Sequence, residues 1–297
     1  MNLIKPEKLK KGDTIAIIAT SGNVDIEKIK IGAEYFENNG YKIKLGKNIE
    51  KSYRYMAGTD EERLEDLHNA FLDKEVKAII CARGGYGAIR LIDKIDYSII
   101  RNNPKIFCGY SDITALSAMF LVNSNLITFS GPMIQSDFSQ NDKINVFTEQ
   151  SFFETISKNN IQIKPQNPIY YQNRDATGIL WGGNLATIVS LCGQNFIPKE
   201  KFIFFAEDLN ESVYKIDKYF YQLLNIKDFL ENVQAIILGD FLDVDNPQWL
   251  EDLFKELANN LTIPVIGGYP ISHTDKKVTI PYGGFAILKE GIITAEY

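Results

Sequence analysis

The sequence contains few of the residues that build metal centres and disulfide frameworks. Only two histidines and three cysteines occur among its 297 residues. The cysteines, Cys81, Cys108 and Cys192, are odd in number and far apart, which fits neither a disulfide framework nor the ligand spacing of a zinc site. We therefore expect buried thiols in a reducing compartment and no bound metal.

The chain also lacks a basic excess and a long apolar run. Its formal net charge is -6, whereas binding to phosphates needs a basic surface, so no nucleic-acid partner is expected. No segment approaches the roughly 18 apolar residues of a membrane span. The lysine-rich residues 1–12 and the apolar run 14–19 superficially resemble a secretory signal, but the run is short and has no clear cleavage site. These features predict a cytoplasmic protein.

The first half of the chain alternates short apolar runs with helical patterns, which is typical of a parallel sheet covered by crossover helices. The predicted strands are residues 14–20, 41–45, 76–82, 105–109 and 126–129. The predicted helices are residues 25–39, 60–73 and 112–123. Thr59 and Glu62 form a capping box at the start of the second helix. An α/β fold with a doubly wound parallel sheet follows.

The length of the chain favours two domains, because it exceeds the usual size of one hydrophobic core. Asn, Gln and Lys become frequent after residue 139, so we place a linker at 141–176, between a domain 1–140 and a domain 177–297. The linker contains one predicted helical segment near residues 146–156. The second half is predicted to be α+β. Its elements are a strand 202–206, a helix 212–225, a strand 235–239 and short strands 278–280, 285–288 and 292–295.

A possible nucleophile lies in Gly109-Tyr110-Ser111-Asp112, which joins a buried strand directly to a helix. A tight turn of this kind lifts a serine hydroxyl above the carboxyl edge of a sheet, as in a nucleophile elbow. The small residue two positions before Ser111 is present, but Ile113 stands two positions after it, where the elbow pattern has a small residue. The alternative is that Ser111 or Asp112 is an ordinary helix N-cap.

A catalytic serine needs a base, and the chain offers only His68 and His273. His68 lies within a predicted helix whose buried stripe is formed by other residues, so we expect it to face solvent. His273 lies in a loop rich in turn-forming residues, where catalytic side chains are common. The alternative for His273 is a solvated loop histidine.

The base in turn needs a carboxylate that orients its imidazole. Glu207 follows the apolar strand 202–206 and would lie at the functional edge of a sheet, with Asp208 and Glu211 as nearby rivals. The alternative is that these acids only supply negative charge near the N-terminus of the following helix, where the helix dipole favours it. The glycine-rich residues 83–87 could present backbone N–H groups to an anion, but their spacing matches neither a P-loop nor the dinucleotide fingerprint.

Taken together, these motifs resemble the LD-carboxypeptidase family along nearly the whole chain. The resemblance is carried by Arg83-Gly84-Gly85-Tyr86-Gly87, Arg90-Leu91, Gly109-Tyr110-Ser111-Asp112, Gly182-Gly183-Asn184-Leu185, Glu207-Asp208 and His273. It implies a flavodoxin-like N-terminal domain, a smaller swivelling β/α C-terminal domain and a Ser-Glu-His triad split between the two. The triad carries over to Ser111, Glu207 and His273.

The resemblance also implies the rest of the site and the activity. The oxyanion donors would be the backbone amides of Gly85 and Asp112, and further substrate-binding candidates are Arg83, Gly84, Tyr110 and Asn184. The implied reaction is release of terminal D-Ala from murein tetrapeptides, without cofactor or metal, by a homodimer. Two alternatives are an immunity peptidase that hydrolyses microcin C-type adenylates and a catalytically silent protein that binds wall peptides.

Overall fold

The computed structural model describes residues 2–139 and 144–297. It confirms the predicted α/β fold and contains two mixed sheets that include parallel strands. Residue 140 of the predicted first domain and residues 141–143 of the predicted linker lie outside the described residues.

The first sheet has six strands in the order β12-β5-β4-β3-β1-β2. Its strands are β1 (Thr14–Ile18), β2 (Lys42–Leu45), β3 (Val76–Cys81), β4 (Ile106–Cys108), β5 (Thr128–Ser130) and β12 (Ile280–Tyr282). Strands β1 to β5 are parallel, and all five match predicted strands. Their order is that of flavodoxin-like sheets, in which ligands bind outside the carboxyl ends of the strands.

Four helices connect these strands. They are α1 (Ile26–Asn38), α2 (Asp60–Leu72), α3 (Tyr97–Asn102) and α4 (Thr114–Ser124). The predicted capping box at the start of α2 is present, with Thr59 and Glu62 each accepting the other's backbone N–H. The predicted helix 112–123 begins differently, as a 3₁₀ turn over Ser111–Ile113 that continues into α4.

The second sheet has eight strands in the order β6-β14-β13-β8-β9-β10-β11-β7. Its strands are β6 (Asn160–Ile163), β7 (Ile169–Gln172), β8 (Ala176–Asn184), β9 (Phe202–Leu209), β10 (Val233–Leu242), β11 (Val265–Gly267), β13 (Phe285–Lys289) and β14 (Ile292–Glu296). Strands β8 to β11 are parallel and the others pair antiparallel. The helices are α5 (Val146–Ser157), α6 (Leu185–Ser190), α7 (Val213–Leu224), α8 (Lys227–Asn232) and α9 (Pro247–Asn260).

Two segments depart from the predicted organisation. Residues 144–176 of the predicted linker contain α5, which matches the helical segment predicted near residues 146–156, together with β6 and β7, and both strands belong to the second sheet. The strand predicted at 278–280 with the second half of the chain is observed two residues later, as β12, and it pairs antiparallel with β5 of the first sheet. The segment that follows His273 therefore joins the edge of the first sheet at β12 before the chain returns to the second sheet. The domain boundaries remain a prediction.

The core is formed by apolar side chains from both sheets and their helices. Cys81 and Cys108 are buried free thiols, as expected, and Cys192 is half-buried. Within residues 2–139 and 144–297, the longest and most apolar helices fall short of what a membrane span requires. Helix α4 is buried along almost its full length, which fixes the position of the turn that precedes it.

Candidate active site

Ser111 occupies a strained turn at the carboxyl end of β4. Its φ is +62°, in the left-handed region that residues other than glycine rarely adopt. The strand ends at Cys108, and the 3₁₀ turn begins at Ser111 itself. This strained strand-to-helix turn, with Ser111 only partly buried, has the local geometry of a nucleophile elbow.

Ile113 does not obstruct this turn, because its side chain packs over Gly109. A Cβ atom on Gly109 would lie 2.9 Å from Cγ2 of Ile113. The small residue before the serine therefore makes room for the large residue after it. The departure from the elbow pattern is accommodated within the turn.

His273 and Glu207 form a close, largely buried pair beside this turn. Nδ1 of His273 lies 2.6 Å from Oε2 of Glu207, and the two side chains are 15% and 4% exposed. A carboxylate can only accept, so Nδ1–H donates to Glu207 and Nε2 is left able to take a proton. The imidazole also packs edge-on against Tyr110, at 5.1 Å between ring centroids, and Tyr110 directly precedes Ser111.

The surroundings of His273 raise its pKa. Burial by itself would lower the pKa of the imidazole, but the hydrogen bond and the charge of Glu207 outweigh that effect. The charged imidazole is thus stabilised, as a general base requires once it has accepted a proton.

The strand pairing explains how Glu207 reaches the turn. Thr114, the first residue of α4, accepts the backbone N–H of Asn184 at 3.3 Å, which places the end of β8 beside the elbow. Asn184 is paired in register with Glu207 on the neighbouring strand β9. A Cβ atom on Gly183 would lie 2.7 Å from Thr114, so this approach depends on glycine there.

Of the three candidate acids, only Glu207 contacts the imidazole in the described part of the chain. Asp208 points elsewhere and accepts from Asn184 Nδ2 and from the backbone N–H of Ala186, each at 2.9 Å. Burial raises the pKa of Asp208 to about 6. Glu211, which precedes α7, forms an ion pair with Lys215 at 3.0 Å.

The glycine-rich loop lies directly against the serine. A Cβ atom on Gly84 would lie 3.0 Å from Oγ of Ser111 and 3.6 Å from the backbone N of Asp112. Gly85 is exposed, has φ +118°, and its amide has no backbone acceptor among the described residues. The Asp112 amide lies in the first turn of a helix, where N–H groups have no intrahelical acceptor. Two amides are therefore available near Ser111.

Two buried side chains hold this loop in place. The carboxylate of Asp112 accepts the backbone N–H of Ala88 at 2.9 Å, which ties the elbow to the loop. Arg63, which is fully buried, donates to the carbonyls of Gly87 and Thr20 and pairs with Asp60 at 2.7 Å. Sequence patterns did not indicate Arg63, because its helical position carries no sign that the side chain turns inward.

The other substrate-binding candidates differ in accessibility. Arg83 is half-buried and lines an open cavity of about 690 Å³ with Gly85 and the exposed residues Tyr55 and Tyr86. Tyr110 and Asn184 are only 8% and 7% exposed. The Asn184 side chain caps α6 by accepting the N–H of Thr187 at 3.0 Å.

The prediction that His68 faces solvent is wrong. His68 is half-buried, and its Nε2 accepts the backbone N–H of Asp96 at 3.1 Å. Burial lowers the pKa of its imidazole. The expectation was wrong because α3 packs against α2 and covers this face of the helix.

Comparisons with known proteins identify the family of the chain. Residues 15–131 match the LD-carboxypeptidase N-terminal domain and residues 177–288 match the LD-carboxypeptidase C-terminal domain. The chain is 34% identical to a probable murein peptide carboxypeptidase of Bacillus subtilis (98% of this chain and 93% of the relative). It is 27% identical to the microcin C7 self-immunity protein of Escherichia coli, over 93% of this chain and 90% of that relative.

A solved structure extends the likeness to the whole fold. The muramoyltetrapeptide carboxypeptidase of Oxalobacter formigenes superposes with a TM-score of 0.86 at 32% identity, over 95% of this chain and 97% of that one. The fold, the site and these matches define the chain as a peptidase. It belongs to the LD-carboxypeptidase family.

Proposed function

We propose that this chain is a serine-type LD-carboxypeptidase that releases the terminal D-Ala from murein tetrapeptides. Ser111 is the nucleophile, His273 the general base and Glu207 the residue that orients the base. The observation that carries the proposal is the 2.6 Å contact between His273 and Glu207 beside a serine at φ +62°. An activated serine, a base and an orienting carboxylate form the constellation that acyl transfer requires.

The reaction follows from the roles of these groups. Oγ of Ser111 forms a bond to the carbonyl carbon of the L–D peptide bond, while Nε2 of His273 takes the hydroxyl proton. The tetrahedral intermediate collapses, the C–N bond breaks, and His273 passes the proton to the leaving amine of D-Ala. Water then attacks the acyl-serine ester with His273 again as base, the bond between the acyl carbon and Oγ of Ser111 breaks, and His273 returns the proton to Oγ as the shortened peptide leaves as a carboxylate.

The backbone amides of Gly85 and Asp112 would donate to the oxyanion of that intermediate. The contact between Gly84 and Ser111 supports this assignment, because it places the loop within reach of the reacting carbonyl. One oxyanion donor lowers the barrier by roughly 3 to 4 kcal/mol in a well-studied protease. The glycine loop therefore contributes to the rate on the scale of a triad residue.

Arg83 would bind the terminal carboxylate that distinguishes a carboxypeptidase from an endopeptidase. Its guanidinium is oriented by two backbone carbonyls, with Nη1 donating to Asn23 at 3.0 Å and Nε donating to Gly84 at 3.3 Å. Its Nη2 lies 3.8 Å from the Cβ position of Gly85, close to the proposed oxyanion donor. A guanidinium fixed beside the oxyanion donors is suited to bind a carboxylate one residue beyond the scissile bond.

The direct test measures D-Ala release from Lys-type and diaminopimelate-type tetrapeptides. The wild-type protein should release D-Ala and react with a fluorophosphonate probe, and Ser111→Ala should do neither while keeping its circular dichroism spectrum. Removing one hydroxyl at a turn costs little packing, so loss of activity would report chemistry. Release of D-Ala by Ser111→Ala at the wild-type rate would remove Ser111 from the mechanism, and a wild-type protein inert to both reagents would favour the silent binding protein.

A second candidate is hydrolysis of microcin C-type adenylates, favoured by the similarity to the self-immunity protein. The exposed pair Tyr55 and Tyr86, with ring centroids 5.6 Å apart, offers aromatic surface for a nucleobase at the open cavity. An aminoacyl sulfamoyl adenosine that is cleaved faster than the tetrapeptide would select this candidate.

The proposal places the protein in the cytoplasm as a homodimer. The homodimer comes from the family resemblance, whereas the location rests on the sequence features, and buried reduced cysteines are in keeping with a reducing compartment. Sedimentation analysis of the purified chain and fractionation of cells producing it would test the two features separately.

A further inference from the structure

Lys277 and Asp137 form a buried ion pair close to the base. Nζ of Lys277 contacts Oδ1 of Asp137, and both side chains are only 3% exposed. The other carboxylate oxygen of Asp137 accepts the backbone N–H of Met133 at 2.8 Å. Buried charges are costly unless paired, so the chain keeps this pair against a desolvation penalty.

The pair connects the parts of the site that must meet during the reaction. Asp137 belongs to the π-helical turn Ile134–Phe138, which follows β5, whereas Lys277 lies four residues after His273. Nζ of Lys277 also lies 4.7 Å from the ring centroid of Tyr110, the residue before Ser111. Tyr110 therefore contacts both Lys277 and the imidazole of His273.

A second set of contacts fixes the loop that carries the base. The backbone N–H of Lys277 donates to Oγ1 of Thr148 at 2.8 Å, and Oγ1 of Thr148 donates to the carbonyl of Asp275 at 2.6 Å. Helix α5 thus holds the backbone of the loop. The side chain of Lys277 is left to face inward toward Asp137 and Tyr110.

We propose that the Lys277–Asp137 pair positions the imidazole of His273 beside Ser111 and balances the charge around it. The proposal rests on the function proposed above and assigns both residues as positioning residues. Neither residue occurs in the motifs that indicated the triad, and a buried lysine cannot be recognised from its sequence neighbours.

The charge balance has a definite sign. Glu207 and Asp208 from β9 favour the protonated imidazole, and Lys277 on the loop of His273 opposes it. Asp137 from the π-helical turn also interacts electrostatically with His273, with the opposite sign to Lys277. Tyr110, which contacts Lys277 and His273, is a neutral phenol, because burial raises its pKa. Because Lys277 and Asp137 offset one another, removal of either charge leaves the effect of the other on His273 uncompensated.

The inference predicts opposite effects from the two deletions. Asp137→Asn leaves an uncompensated cation and should lower the midpoint of His273 titration, whereas Lys277→Met leaves an uncompensated anion and should raise it. Each shift should be roughly half a pH unit to one unit, as expected for one charge at short range in a partly screened interior. The double variant should return toward the wild-type midpoint.

Titration by NMR measures this directly, because the chain has only two histidines. The midpoint of His273 is followed in a Ser111→Ala background, with His68 as the internal reference. Lys276→Met is the matched control, since Lys276 is exposed, adjacent in sequence and carries the same charge. It should leave the His273 midpoint in place.

Activity measurements supply the positioning half of the test. Lys277→Arg retains the charge but not the geometry, so it should lower kcat with little change in KM and leave the His273 midpoint near that of the wild type. Lys277→Arg also tests the positioning role of Lys277 if Lys277→Met fails to fold. Midpoints unchanged in folded Asp137→Asn and Lys277→Met, or shifted in the same direction, would overturn the inference. A wild-type protein without peptidase activity would instead overturn the proposed function, because the titration does not depend on turnover.

Discussion

A Cβ atom on Gly84 would lie 2.9 Å from Cβ of Ser111, closer than real Cβ contacts allow. Gly84 belongs to the glycine-rich loop, and Ser111 belongs to the strained turn after β4. The absence of a side chain at Gly84 is therefore what allows the loop and the turn to pack against each other. Backbone amides from both can then lie near the same reacting atom.

Gly84→Ala should lower kcat by roughly 100-fold or more, because loss of one oxyanion donor has an effect of that size. The added methyl group must displace either the serine or the loop. Steady-state kinetics on the tetrapeptide would measure the loss.

Gly267→Ala is the matched control for this change. A Cβ atom on Gly267 would make only an ordinary contact of 3.6 Å, with Tyr171, and neither glycine has a positive φ. A Gly84→Ala enzyme as active as the Gly267→Ala enzyme would show that the loop does not contribute to catalysis.

Glu207→Gln should reduce kcat by roughly 10³- to 10⁴-fold, as expected when the group that fixes the tautomer of a catalytic histidine is lost. Asp208→Asn should have a much smaller effect on kcat, because Asp208 contacts Asn184 and Ala186 and does not contact the imidazole. Equal losses of kcat in the two variants would contradict the assignment of Glu207 as the orienting acid.

The pH dependence of kcat/KM should follow the raised pKa of His273. The base must be neutral to accept a proton, so the rate should rise with pH through a pKa above the ordinary value of about 6.5. In any residual activity of Glu207→Gln, this limb should move to lower pH, because the main group that raises the pKa is gone. A limb that stays in place would show that Glu207 does not act on the titrating group.

His273→Ala should lower kcat by several orders of magnitude, and His68→Ala should leave kcat near the wild-type value. His68 accepts a hydrogen bond from Asp96, so its loss should appear in the free energy of unfolding. Triad members act as a unit, so His273→Ala combined with Ser111→Ala should cost little more than either change alone. Multiplicative losses in the double variant would argue that the two residues act separately.

Arg63→Met should lower the free energy of unfolding by about 2 to 4 kcal/mol, because the buried carbonyls of Gly87 and Thr20 lose their donor while Asp60 keeps two other cationic partners. Lys94→Met removes an exposed partner of the same carboxylate and should have a small effect. Urea denaturation of both variants would make the comparison. Similar free energies of unfolding for the two variants would show that residues other than Arg63 hold the glycine-rich loop in place.

The sequence alone was sufficient for the five parallel strands of the first sheet, and it supplied the candidates for the proposed triad. The strands β1 to β5 were predictable because buried parallel strands are continuous apolar runs bounded by turn residues. His273 was accessible to reasoning because a chain with two histidines offers little choice of base. Glu207 was one of three neighbouring acids until the structure showed which of them faces the imidazole.

Other features were decided by the tertiary structure. The attachment of β12 to the first sheet joins residues about 150 positions apart, and short apolar runs carry no information about their partner strand. The burial of Arg63, Asp137 and Lys277 was equally unpredictable, since charged residues are ordinarily exposed and become buried only when a partner from another segment is present. Local chemistry thus determined which residues form strands, turns and reactive groups, and only long-range packing decided which of those groups face one another.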